Sequence, residues 1–193
     1  IDATGAVALD RSGAGRVLTT RLSSHIGPLL PAIAEQVFAG ETNLDSTTRI
    51  GDDGSVAVDG LTLTSRLARL DVTGLLGADK MMDFSASIRA LPSNGEVTET
   101  DQGSIRSLVF DSRVSGSMKA PNVTAKLALS GAHLPDGDID KLDASLTALP
   151  RAEATATRIV LDANLRASGI APRDPALAAA IGSTASLVLR GST

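Results

Sequence analysis

Hydrophobic and polar residues alternate along most of this chain, and a period of two is satisfied only by strands with one apolar and one wet face. Phe84, Ala86, Ile88 and Ala90 alternate with Ser85, Ser87 and Arg89. Leu108, Phe110 and Val114 share one parity, while Asp111, Arg113 and Ser115 take the other. Val123, Ala125, Leu127 and Leu129 face away from Thr124, Lys126 and Ser130. Leu142, Ala144, Leu146 and Ala148 continue the pattern, followed by Ile159, Leu161, Leu165 and Ala167. Burial on one side only points to an antiparallel meander, because a helix-covered parallel sheet needs strands that are apolar throughout.

Turn signals break the pattern at short intervals. Asp52-Asp53-Gly54 and Asp59-Gly60 bracket a short strand through Val56 and Val58, and Gly77-Ala78-Asp79-Lys80 closes the strand from Leu70 to Leu76. Asn94-Gly95 and Asp136-Gly137 are hairpin dipeptides. The polar stretch from Pro92 to Ser104 is expected to be a mobile loop. Two segments read as short amphipathic helices. Residues 28–39 place Leu29, Ile33 and Val37 four apart between Pro31 and Gly40. Residues 174–181 have Asp174 as N-cap, Pro175 at the first helical position and Gly182 past the end.

These two helices sit in copies of one unit. Arg16-Val17-Leu18, Ser24-His25-Ile26 and Pro31-Ala32-Ile33-Ala34 compare with Arg158-Ile159-Val160, Ser168-Gly169-Ile170 and Pro175-Ala176-Leu177-Ala178. At an offset of about 144 residues, the chain reads as a fragment of a repeat array. One unit covers about residues 16–157 and the next starts at about 158. The opening Ile1-Asp2-Ala3, without Met, reads as a piece of a longer protein.

Composition narrows the interior and the chemistry. Three Phe are the only aromatic residues in 193, so Leu, Val, Ile and Ala must fill the core. A net charge of -4, with no Tyr or Trp, gives neither a basic patch nor a stacking platform for nucleic acid. The absence of Cys excludes disulfides, zinc–thiolate sites and thiol catalysis. No apolar run of the length needed to cross a membrane as a helix occurs.

Polar motifs point to no site. His25 and His133 each lie beside a turn, far from a second ligand. No Gly-x-Ser-x-Gly is present for a nucleophile elbow. Asp136, Asp138 and Asp140 alternate like the start of a calcium loop, but Lys141 and Thr147 stand where Gly and Glu are needed. Gly13-Ala14-Gly15 lacks the third glycine of a dinucleotide fingerprint, which falls on Leu18, and reads as a turn. The sequence therefore predicts no catalytic, cofactor-binding or metal residues, and no enzyme activity. The remaining candidate is the apolar parity itself. Leu70, Val72, Phe84 and Ile88 line it in the first half of the chain. Leu108, Phe110, Val114, Val123, Leu127 and Leu129 follow, and Leu142, Leu146, Leu161 and Leu165 complete it. The small residues Ala86, Ala125, Ala144 and Ala163 leave room for acyl chains on this face, and equally suit packing against a second sheet.

Helix and strand, then Gly54-Ser55-Val56-Ala57-Val58-Asp59-Gly60-Leu61-Thr62-Leu63 and Leu70-Asp71-Val72-Thr73-Gly74, resemble the C-terminal region of the TamB family. These are the translocation and assembly module subunits, within the wider AsmA-like group of envelope proteins. Val114-Ser115-Gly116-Ser117-Met118-Lys119-Ala120-Pro121 followed by an alternating strand carries the same texture, and the resemblance covers about residues 1–190. The resemblance implies an elongated, curled antiparallel β-sheet, a half-open trough or β-taco with an apolar lining. It implies a periplasmic segment of a protein anchored in the inner membrane of a Gram-negative bacterium. It further implies a TamA-like outer-membrane barrel as partner, and phospholipid or an unfolded outer-membrane protein as client. The associated roles are outer-membrane protein and autotransporter assembly and phospholipid transport. No cofactor is implied, and the fragment itself is expected to be soluble.

Two other classes compete. A structural or adhesive β-solenoid passenger of a secreted bacterial protein would share the repeats and the lack of Cys, but the helical inserts argue against it. An enzyme built from dispersed Asp, Arg and Ser has no support in their spacing.

Overall fold

The computed structural model describes residues 3–11, 13, 15–25, 40–91, 97–100, 103–152 and 157–192. The strands are β1 (Ala3–Arg11), β2 (Gly15–Ser24), β3 (Thr42–Gly51), β4 (Val56–Thr64), β5 (Ala68–Leu76) and β6 (Met81–Ala90). They continue with β7 (Thr98–Thr100), β8 (Gly103–Ser117), β9 (Ala120–Leu134), β10 (Gly137–Ala152), β11 (Thr157–Pro172) and β12 (Thr184–Ser192). One helix, α1 (Pro175–Ile181), stands between β11 and β12. The strands hydrogen-bond in the order β1-β2-β3-β4-β5-β6-β8-β9-β10-β11-β12, a 12-stranded sheet with β7 beside β8. The chain is thus mainly β, and the described pairings are antiparallel.

Residues cluster into two compact units, Ile1–Ile88 with Arg113–Lys119, and Arg89–Ser112 with Ala120–Thr193. In the first, the turns after β3 and β5 are built alike. Gly51 N–H donates to Ser55 O at 2.9 Å, and Gly77 N–H donates to Met81 O at 2.8 Å. The carboxylates of Asp53 and Asp79 each accept from the backbone N–H two residues on, at 2.9 Å. The left-handed position falls to Gly54 (φ 83°) in one turn and to Lys80 (φ 66°) in the other. In the β4–β5 turn, the Ser65 hydroxyl accepts from the N–H of Leu67 and Ala68 at 3.2 and 3.0 Å.

Two expectations are corrected. Asp59-Gly60 does not end a strand: both residues lie inside β4, where the register shifts against β3 and β5. The two residues form a bulge, which takes up an extra residue without breaking the ladder. Residues 92–104 are not one loop. Thr98–Thr100 forms β7 against Gly103–Ile105, and the Thr98 hydroxyl donates to Leu91 O at 2.6 Å. Of the two helices, only α1 lies among the described residues. Asp174 caps it, accepting from Ala176 N–H at 2.8 Å, and Gly182 N–H closes on Ala178 O at 3.1 Å. The helix expected over residues 28–39 lies outside the described residues, as does the Asn94-Gly95 turn.

Among the described residues, the buried hydrophobic side chains are Leu67, Ala68, Ala132 and Ala167. No large aliphatic residue of the alternating rows is among them. Cross-strand neighbours on each face, rather than a deep core, hold these strands together.

Candidate functional site

In the second unit the register sorts the alternation into rows that run across four strands. Leu127, Ala144, Leu165 and Leu187 stand opposite one another in turn across β9 to β12. The next row is Ala125, Leu146, Ala163 and Leu189, and the one beyond it Val123, Ala148, Leu161 and Gly191. Large and small side chains therefore fall on diagonals. Leu127, Leu146 and Leu161 make one leucine ridge, and Leu142, Leu165 and Leu189 make a second. The line Ala144, Ala163 and Gly191 runs between them. From strand spacing and rise, the ridges lie about 8 Å apart.

A groove of about 370 Å³ follows this face, lined by Phe110, Leu127, Leu146, Leu165, Leu187 and Leu189 among others. The opposite face of the same strands has a groove of similar size, about 390 Å³, lined by Asp111, Lys126, Asp143, Asn164 and Arg166. Chemistry rather than depth separates the two. The apolar face is also uncovered: Leu146 and Leu161 are 37% and 38% exposed, and Leu187 and Leu189 51% and 53%.

The candidate residues from sequence fall into two patches, one in each unit. In the first, Leu70 lies opposite Leu63 and Val72 opposite Leu61. The Phe84 ring covers Gly74, occupying the place a Cβ would take there. Ile88 and Val114 are half-buried, Val114 having the parity opposite to Arg113. In the second unit, Leu108, Phe110, Val123, Leu127, Leu129, Leu142 and Leu165 are half-buried, and Leu146 and Leu161 are exposed. Leu187 and Leu189 complete the second patch and were not among the candidates. Their signal is present in the sequence as the alternation Ala185, Leu187, Leu189.

The wet faces carry exposed ion pairs. Arg113 donates twice to the Asp83 carboxylate, at 2.8 and 2.6 Å. These hydrogen bonds hold the Asp83 carboxyl below the usual carboxylate range and raise Arg113. Arg69 grips Asp71 in the same way and is raised by it. Asp53 is lowered by the Ser55 hydroxyl, then by the Ser55 N–H. Exposed pairs of this kind contribute little to stability. His133 Nδ1 approaches Asp138 at 3.1 Å, while Asp140 lies against Gly169. Among the described residues, no three His, Cys, Asp or Glu side chains gather as a metal set. No helix among them is long and apolar enough to cross a membrane.

No protein family matches the chain, and no curated protein or solved structure matches it.

Proposed function

We propose that this chain is a non-catalytic segment of a TamB-like envelope protein, whose role is to shield apolar cargo along one face of its sheet. The observation that carries the reading is the uncovered leucine face of β9–β12, set against a polar groove of similar size on the other side of the same strands. An aliphatic face left in water forgoes about 25 cal/mol per Å², so a partner of matching chemistry gains by covering it. Phospholipid acyl chains, or the apolar side chains of an unfolded outer-membrane protein, are cargo of that kind. In this reading the sheet is a β-taco in the periplasm, the whole protein is anchored in the inner membrane, and a TamA-like barrel is the outer-membrane partner. A β-solenoid passenger fits less well, because its rungs stack in parallel and the pairings described here are antiparallel.

The test is a photo-crosslinker placed at Leu127 or Leu146, compared with Lys126 or Ser145 on the opposite face. The apolar positions are expected to capture phospholipid or an outer-membrane client in cells. Equal capture from both faces would show that the reading is wrong.

A further inference from the structure

β12 stands at one end of the strand order, paired with β11 on one side. Among the described residues, no strand lies along its other edge. An open edge presents backbone N–H and C=O groups that template a further strand, and proteins block such edges with Lys, Pro or a bulge. β12 has none of these. Thr184–Ser192 contains no Lys or Pro, and its register against β11 is unbroken. Its one charge, Arg190, is held by Asp162 at 3.1 Å. At its centre Leu187, Val188 and Leu189 are each more than half exposed, so aliphatic side chains flank the open edge on both faces.

The strand is also close to symmetric about Val188. A two-fold axis through Val188, normal to the sheet, sets two copies of β12 antiparallel with their faces matched, and all nine residues pair. Leu187 then lies opposite Leu189, Ala185 opposite Gly191, and Ser186 opposite Arg190. Large aliphatic residues meet each other and no like charges are opposed. Other registers are worse: a slip of one residue sets apolar positions against polar ones, and an axis at Arg190 sets the two arginines against each other. We propose that β12 is the surface through which two copies of this chain associate, forming one continuous antiparallel sheet with Val188 at the two-fold axis. The second copy contributes to the leucine face as well. The row that ends at Leu187 runs on into Leu189, Ala163 and Leu146 of the second copy, so the apolar groove continues across the axis. The edge at β1 is the poorer template. An axis at its centre, Val7, sets Gly5 against Leu9 and Ala6 against Ala8, so association closes at two copies through β12. The proposal rests on the edge and not on cargo, and goes beyond the cargo-shielding reading.

Sedimentation velocity over a concentration series to about 0.3 mM tests it, since one strand pair makes an interface of the small, weak class. The wild type should pass from monomer to dimer. Val188→Lys opposes two like charges at the axis and should weaken the dimer by about tenfold, while Val7→Lys on β1 should leave it within about twofold. Thermal melts should find both variants folded, because both positions are exposed. The absence of native Cys allows a second, independent reading of the register. Val188→Cys places two thiols opposite each other and should link the chains on mild oxidation. Ser186→Cys places them about 14 Å apart, four residues along the pair, and should not. Three results overturn the proposal: a wild type that stays monomeric throughout the series, a dimer that Val7→Lys weakens as much as Val188→Lys, or Ser186→Cys linking as readily as Val188→Cys. A monomeric wild type that still captures cargo on its leucine face would sink the dimer alone.

Discussion

Leu187, Val188 and Leu189 offer a test of cargo binding with its control built into one strand. All three are exposed to nearly the same extent, 51%, 54% and 53%, but Leu187 and Leu189 lie on the apolar face and Val188 on the other. Full burial of a leucine side chain is worth about 1.5–3 kcal/mol, so covering the exposed half contributes about 0.8–1.5 kcal/mol for each. Replacing both by Ser therefore removes about 1.5–3 kcal/mol of binding, a weakening of about 10- to 150-fold. The stability cost should be small, since exposed substitutions usually change it by under about 0.5 kcal/mol. The assay is fluorescence titration with the neutral apolar dye N-phenylnaphthylamine, made easier by the absence of Trp and Tyr. Leu187→Ser/Leu189→Ser should bind the dye at least tenfold more weakly, and Val188→Ser should match the wild type within about twofold. If Val188→Ser weakens binding as much as Leu189→Ser, binding is not confined to the apolar face and the reasoning fails.

Other perturbations follow from particular contacts. Gly74→Ala puts a methyl group into the space of the Phe84 ring and should cost about 1–3 kcal/mol in urea unfolding, less when paired with Phe84→Ala. The two matching turns should respond in opposite directions: Gly54→Ala should destabilise by about 1 kcal/mol, and Lys80→Gly should stabilise or be neutral by melting temperature. Arg113→Gln should return the Asp83 carboxyl titration, followed by NMR, toward its ordinary range. Because Asp83 is lowered in the folded chain, its contribution is present above the unfolded carboxylate pKa and is lost as pH falls through the folded one. Acid should therefore erode the stability of the wild type more steeply than that of Arg113→Gln.

Strand positions were legible because alternation is a local signal, and so were the caps of α1, where Asp174, Pro175 and Gly182 each have one plain role. The Asp59-Gly60 signal misled for a physical reason. The dipeptide favours any left-handed or irregular step, and a bulge uses the same chemistry as a turn. Thr98–Thr100 was hidden because three residues are too few to show a period. The apolar parity of the candidate site was visible, but its ridges were not. Whether Leu146 neighbours Ala163 or Leu165 depends on register, which is a relation between strands and leaves no trace in either strand alone.

Whether the leucine face is open also has an energetic signature. In a closed core, Leu→Ala costs about 2–5 kcal/mol, because the lost transfer energy is joined by a cavity that neighbours cannot fill. On a face whose other side is solvent, no cavity forms, since water occupies the vacated space. Only the transfer term of the part already covered is then lost. Leu146 is 37% exposed, so about two thirds of its area is covered, and three carbons at about 0.8 kcal/mol each give about 1.5 kcal/mol for Leu146→Ala. Leu161→Ala, with nearly the same exposure of 38%, should cost about the same. Urea unfolding of the two variants, with unchanged m-values, measures this directly. A cost above about 3 kcal/mol for either would mean that a second layer covers the leucine rows, and the face would then be a core and not a surface for cargo.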